Sequence, residues 1–198
     1  MRNNLLLLTL PFIFVACSSD SSKDTGVREP VAGVTANKAD KPASLPIDEK
    51  NGFRNHHFGD NISTFPGLKP LIGYSLPDTK RYEMPKAQEN LKVGEAKLSS
   101  IVYTFHKDKF YEVMASVDMG DDTSYEKLSA AAVALYGQGK EFSSGTGVGW
   151  YGEKVNGAIS IENSAGHRFG RFHLTSKTIE KQMEEAKTKA GKKASADL

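Results

Sequence analysis

The strongest constraint on this chain is the alternation that runs from Leu98 to Val117. Ile101, Tyr103 and Phe105 alternate with Val102 and Thr104, four polar residues follow (His106 to Lys109), and Tyr111, Val113, Ala115 and Val117 then alternate with Glu112 and Ser116. A period of two puts one set of side chains on each face of a strand, so the run predicts a β-hairpin with one face in a core. The cover for that face follows directly. Thr123 with Glu126 three residues later has the spacing of a capping box. Leu128, Ala131, Ala132 and Leu135 make an apolar stripe, and Gly137 stands where a helix ends. A helix is expected over about 123–136.

Downstream, residues 138–146 read as a Gly/Ser-rich loop. Val148 to Tyr151, Ala158 to Glu162 and Phe169 to Leu174 read as three short strands separated by turns. Thr175 or Ser176 can cap a last helix with a thin stripe of Ile179, Met183, Ala186 and Ala190 on a charged rod, its end a frayed tail. Upstream, Phe53, Phe58, Ile62, Phe65 and Leu68 arrive together and mark the start of the folded region at Asn51. Gly52 to Gly59 can hold a short strand, and Asp60 to Ser63 a single helical turn. Prolines 70, 77 and 85 argue for loops around extended pieces such as Arg81 to Met84. The fold class expected is α+β, an antiparallel sheet of short strands and hairpins with one firm helix and a C-terminal helix. A helix followed by strands occurs twice, which weakly suggests duplication, although no residue-level repeat accompanies it.

Residues 1–16 carry Arg2, then Leu5 to Leu8, Leu10 and Phe12 to Val15, ending in Ala16. The apolar stretch is short of the roughly 20 residues a membrane-spanning helix needs and has the layout of a secretory signal peptide. Phe14-Val15-Ala16-Cys17 resembles the lipobox of bacterial lipoproteins. Phe14 is its one departure, since leucine is commoner there. The resemblance implies that the leader is removed before Cys17 and that this cysteine is diacylated on sulfur. By similarity to proteobacterial sorting, Ser18 implies the outer membrane. The rest of the chain has the general look of small envelope lipoproteins, a resemblance that carries no activity. An ordinary signal peptide with an incidental cysteine is the plainer alternative.

Composition supports this layout. Residues 17–50 hold the lipidated cysteine and, from Ser18, a stretch without an aromatic residue, with three prolines and charges of both signs. Such a stretch buries too little apolar area to offset its ordering entropy, so it reads as a disordered tether reaching about 30 Å. An edge strand through Val31 to Val34 is the alternative. The domain is then expected over 51–176 and the charged helix and tail over 177–198. One cysteine excludes a disulfide framework and a cysteine-rich zinc site. With 26 basic against 24 acidic residues, interspersed, the chain offers no electrostatic footprint for nucleic acid.

Motifs that carry chemistry are sparse. Gly147-Val148-Gly149-Trp150-Tyr151-Gly152 spells GxGxxG, but a dinucleotide site needs a strand before it and a helix after it, and here a strand is expected at the motif itself. His56, His57 and Asp60 approach a metal motif, yet adjacent residues of a strand point to opposite faces. His167 and His173 add ligands only if the fold brings them close. Asp118, Asp121 and Asp122 can hold a cation or can complement the positive end of the following helix. No GxSxG elbow occurs. No catalytic residue, metal ligand or cofactor is therefore expected. Two recognition candidates remain, the loop Ser143, Ser144, Gly145, Thr146 and Gly147 and the row Phe169, Arg171 and His173 on the last strand. The expectation is a lipid-anchored envelope binding or interaction module, non-catalytic, attached to the membrane through its lipid. Its protein or small-ligand partner and the membrane face are not fixed by the sequence. The rival readings are an envelope hydrolase and an inhibitor or immunity-type lipoprotein.

Overall fold

The computed structural model describes residues 45–73, 76–120 and 122–196. The chain runs α1 (Pro46–Lys50), β1 (Gly52–Phe53), β2 (His56–His57), a 3-10 turn (Ile62–Thr64), β3 (Lys69–Pro70), β4 (Thr79–Glu83), β5 (Lys92–Val93) and β6 (Ala96–Lys97). It continues through β7 (Ser100–His106), β8 (Lys109–Asp118), α2 (Asp122–Tyr136), β9 (Lys140–Glu141), β10 (Gly147–Tyr151), β11 (Val155–Ser164), β12 (His167–Ser176) and α3 (Lys177–Ala196). An eight-stranded antiparallel sheet in the order β3-β4-β7-β8-β12-β11-β10-β9 is the backbone of the fold, with β1-β2 and β5-β6 as small separate hairpins. The expected α+β class is what the structure shows.

The hairpin predicted from alternation is β7-β8. Lys107 and Asp108 both take positive φ, 49° and 61°, the conformation that a two-residue turn matched to strand twist requires. On one face of the sheet Tyr103, Phe105, Phe110, Val113, Ala115, Val117, Ile159, Phe172 and Leu174 are buried in a single core. Phe65 docks edge-on against Tyr103, Phe105 and Phe110, which ties the segment after the 3-10 turn to the hairpin.

Helix α2 covers the same face. Ser124, Leu128, Ala132 and Tyr136 are buried at i, i+4 spacing. The expected stripe is corrected at one position, since Leu135 is 52 % exposed and Tyr136 takes the inward place. The helix begins at Asp122, so Thr123 lies within its first turn. At the other end Gly137 has φ 80° and donates its N–H to Val133 O, the left-handed stop expected there. Trp150 Nε1 donates to Gly137 O at 2.8 Å and so pins the end of α2 to β10.

The start of the folded region differs from expectation. The span 17–50 was expected to be tether throughout, but Pro46–Lys50 is helical and Ile47 is 3 % exposed. The cause is Asp48, buried in the first turn of α1, whose carboxylate accepts backbone N–H groups from Glu153 (2.6 Å), Lys154 (2.8 Å) and Val155 (2.9 Å). Burial alone raises its pKa, but the three N–H donors and the Lys154 charge bring it below the ordinary carboxylate value. Gly152 makes this nest possible, because a Cβ there would stand 2.2 Å from Asp48 Oδ1. Residues 17–44, including Cys17 and Val31 to Val34, lie outside the described residues, as do the leader and Asp121.

Candidate functional site: a cleft beside helix α2

Strands β7, β8, β11 and β12 are long and their buried faces follow from alternation, so the site has to be sought where short elements meet. Between α2, the β1-β2 hairpin, the end of α1 and β5 lies a cleft of about 490 Å³. That volume falls within the range of small-molecule sites. Its floor is apolar, formed by Phe53, Leu128, Ala132, Tyr136 and Phe172, each no more than 7 % exposed. The Tyr136 ring stacks nearly parallel to Phe172 at 6.3 Å and tilts against Trp150 at 5.8 Å, so the floor is braced from beneath. Burial pushes the Tyr136 phenol up to about 12.

Polar groups stand around this floor. Lys50, Arg54, Asn55, Asn90 and Lys92 line the cleft, and the exposed Leu135 forms part of its lip. Arg54 shapes the wall. It occupies the turn of the β1-β2 hairpin at φ 56°, a left-handed conformation that costs a non-glycine residue of order 1 kcal/mol or more. Its guanidinium pairs with Glu89 and donates to Asn90 O. Glu89, almost wholly buried, also accepts the Tyr103 hydroxyl at 3.1 Å. Burial and the Glu89 charge drive the Tyr103 phenol far above its ordinary pKa. The strained turn is thus held by a charge pair anchored in the core, which joins the 89–92 segment to β1-β2. Lys50 Nζ donates to Arg54 O at 2.7 Å and closes the other side.

The residues singled out from sequence fall elsewhere. Ser143 and Ser144 are the tip of the turn between β9 and β10, with Gly145 at φ 67° and the Ser144 and Thr146 hydroxyls 2.7 Å apart. The expected long loop over 138–146 is shortened by β9. Gly147 and Gly149 are strand residues that admit close neighbours. A Cβ on Gly147 would stand 2.2 Å from Ile159 O, and one on Gly149 would meet the Tyr151 ring. The GxGxxG string is therefore β10 and its end, with no helix following.

Phe169, Arg171 and His173 do share one face, the one opposite the core, and all three are half-buried. Arg171 pairs with Glu162 at 2.8 Å and lies over the Phe169 ring at 5.0 Å. His173 Nε2 meets Glu112 Oε1 at 2.8 Å. Burial raises the Glu112 pKa, but the hydrogen bond to His173 and the His173 and Arg81 charges bring it below its ordinary value. The row is a patch whose charges are already matched within the sheet.

His56 and His57 form β2, and the His56 ring stacks on Phe65 at 3.7 Å, where burial lowers its pKa. Asp60 Oδ2 accepts the His57 backbone N–H at 2.8 Å. Among the described residues no group of three or more His, Cys, Asp or Glu side chains gathers for a metal ion. None of their helices is long and apolar enough to cross a membrane.

The cleft is not legible in the sequence because its rim joins Lys50, from the expected tether, Arg54 and Asn55, from an expected short strand, and Asn90 and Lys92, from a proline-punctuated stretch of loops. Pro46 followed by Asp48 and Glu49 is a legible helix-start signal that would have drawn attention to Lys50. Nothing in the local sequence marks Asn90 or Lys92. Comparison with known protein families, with curated proteins and with solved structures returned no match.

Proposed function

We propose that this chain is a lipid-anchored binding module of the bacterial cell envelope, held by acylated Cys17 and most consistent with an outer-membrane address, and that its binding site is the cleft beside α2. The observation that carries the reading is the cleft itself: a preformed apolar floor ringed by cations and side-chain amides, the composition of a site that holds a ligand by burial and orients it by a few polar contacts. The lipobox resemblance supports the anchor. With two or three acyl chains at about 0.8 kcal/mol per buried CH₂, attachment would be permanent on a cellular timescale.

The test has two arms. Cys17→Ser is expected to abolish fatty-acid labelling and leave an uncleaved precursor; normal processing and labelling of that variant would remove the anchor from the proposal. For the site, the native chain and a Leu135→Trp variant, which narrows the lip, are isolated from envelopes, and the small molecules that co-purify are compared by mass spectrometry. A ligand present with the native chain and lost in the variant is expected. Equal recovery with both would place binding outside the cleft.

A further inference from the structure

We infer that the cleft takes an amphiphile with a single anionic head, a carboxylate or a phosphate monoester, on an apolar body; the inference rests on the cleft being the binding site proposed above. The floor selects the body. Phe53, Leu128, Ala132, Tyr136 and Phe172 present carbon to the cleft, and Leu135 at the lip leaves half its surface in water. A tail lying against these side chains removes from water chiefly its own apolar surface and that of Leu135.

The rim selects the head. Of its three cations, Arg54 is matched by Glu89. Lys50 is bonded only to a backbone carbonyl, and Lys92 sits on the exposed strand β5; among the described residues neither forms an ion pair with an acid. Among the residues that line the cleft the cations thus exceed the acids matched to them by two, and Asn55 and Asn90 line it with them. A cationic ligand would be repelled, and a neutral one would leave both ammonium groups unmatched. Two lysines suit a head of one to two negative charges.

The experiment uses the full chain, acylated and purified in nanodiscs of zwitterionic lipid. A photoactivatable dodecanoate probe is cross-linked to it, and the labelled peptides are mapped. Saturable labelling is expected within 128–136 and 53–55, suppressed by dodecanoate and by dodecyl phosphate and about tenfold less effectively by dodecanol. In the Lys50→Gln/Lys92→Gln variant the advantage of dodecanoate over dodecanol is expected to vanish while the variant keeps a cooperative unfolding transition, its midpoint lowered no further than loss of the one Lys50 hydrogen bond to Arg54 O accounts for.

Adding phosphatidic acid to the discs separates the two sources of such a head. Suppressed labelling assigns the head to a membrane lipid and unchanged labelling assigns it to a free acid, and either upholds the chemistry. Equal competition by dodecanol, labelling elsewhere, or an undiminished preference in the lysine variant would overturn the inference. If Leu135→Trp still costs the co-purifying envelope ligand while dodecanoate fails to label the cleft, the inference falls and the proposed binding role stands; if both fail, both fall.

Discussion

Asp48 shows how one side chain can decide where a domain begins. Its carboxylate is 4 % exposed and accepts three consecutive backbone N–H groups from the turn between β10 and β11. Truncation leaves those donors without acceptors, and each buried orphan costs about 1–3 kcal/mol less whatever water recovers. Asp48→Ala is therefore expected to lower the unfolding free energy by about 3–5 kcal/mol in urea titrations. Asp48→Asn keeps one acceptor oxygen but turns an NH₂ group toward donors, and should cost about 2 kcal/mol. The pH dependence follows from the direction of the shift. The folded-state pKa lies below the unfolded one, so the carboxylate's contribution is present above pH of about 4 and is lost as pH falls through the folded value. Asp48→Asn should accordingly flatten the acid limb of a stability-against-pH curve, and an unchanged limb would show that other groups carry it. Gly152 offers an independent check on the same nest. Gly152→Ala places a methyl group on the carboxylate, whose position is fixed by three backbone bonds, and should cost about as much as Asp48→Ala.

At the scale of elements, α2 separates what is needed for folding from what is needed for the cleft. Leu128 is 1 % exposed, whereas Leu135, one residue before the inward-facing Tyr136, stands 52 % exposed. Leu128→Ala should cost about 2–5 kcal/mol through lost burial and a cavity, while Leu135→Asp should change stability by no more than about 0.5 kcal/mol. Equal costs in denaturant titrations would return Leu135 to the core. The sequence displayed α2 and its glycine stop because a helix that packs on a sheet must show a stripe. It misplaced one residue of that stripe because Leu135 and Tyr136 are both apolar enough to face inward, and which does so is set by the rotation of the helix over Phe172. The β7-β8 hairpin was legible for the same reason, since long strands with one buried face must alternate, whereas β11 and β12 read only as short strands over 158–162 and 169–174 and in fact run from Val155 to Ser164 and from His167 to Ser176. The hairpins β1-β2 and β5-β6 were not, because two-residue strands are too short to show a period. The cleft is built largely from those short pieces, held by Arg54 and Glu89 across 35 positions of sequence. A charge pair at that separation leaves no local pattern.

For the whole molecule, the strand order carries an organisation that no stretch of sequence announces. Strands β3, β4, β7 and β8 form one half of the sheet and β9 to β12 the other, and the halves meet at the antiparallel pair β8 and β12, so the strand order is symmetric about that pair. The second half is preceded by α2, and the first by α1 and the short elements after it. Helix α1 lies against the far half of the sheet, with Ile47 over Gly157, where a Cβ would stand 2.8 Å from Ile47 Cδ1, and with Asp48 in the turn at Gly152. The first residues of the folded region thus clamp the second half of the sheet, and this makes the boundary measurable. A chain beginning at Leu45 keeps Ile47, Asp48 and the Lys50 hydrogen bond to Arg54, and it omits, beyond the leader and Cys17, residues 18–44, which hold no aromatic side chain. Its urea midpoint should equal that of the full chain. A chain beginning at Asn51 loses all three contacts and should unfold with a stability lower by about 5 kcal/mol or more, the sum of about 2–5 for a buried isoleucine and about 3–5 for a broken carboxylate nest. Equal midpoints for the two truncations would place the boundary at Asn51 after all. A drop already present in the Leu45 chain would show that the preceding residues contribute to the fold and are more than a tether.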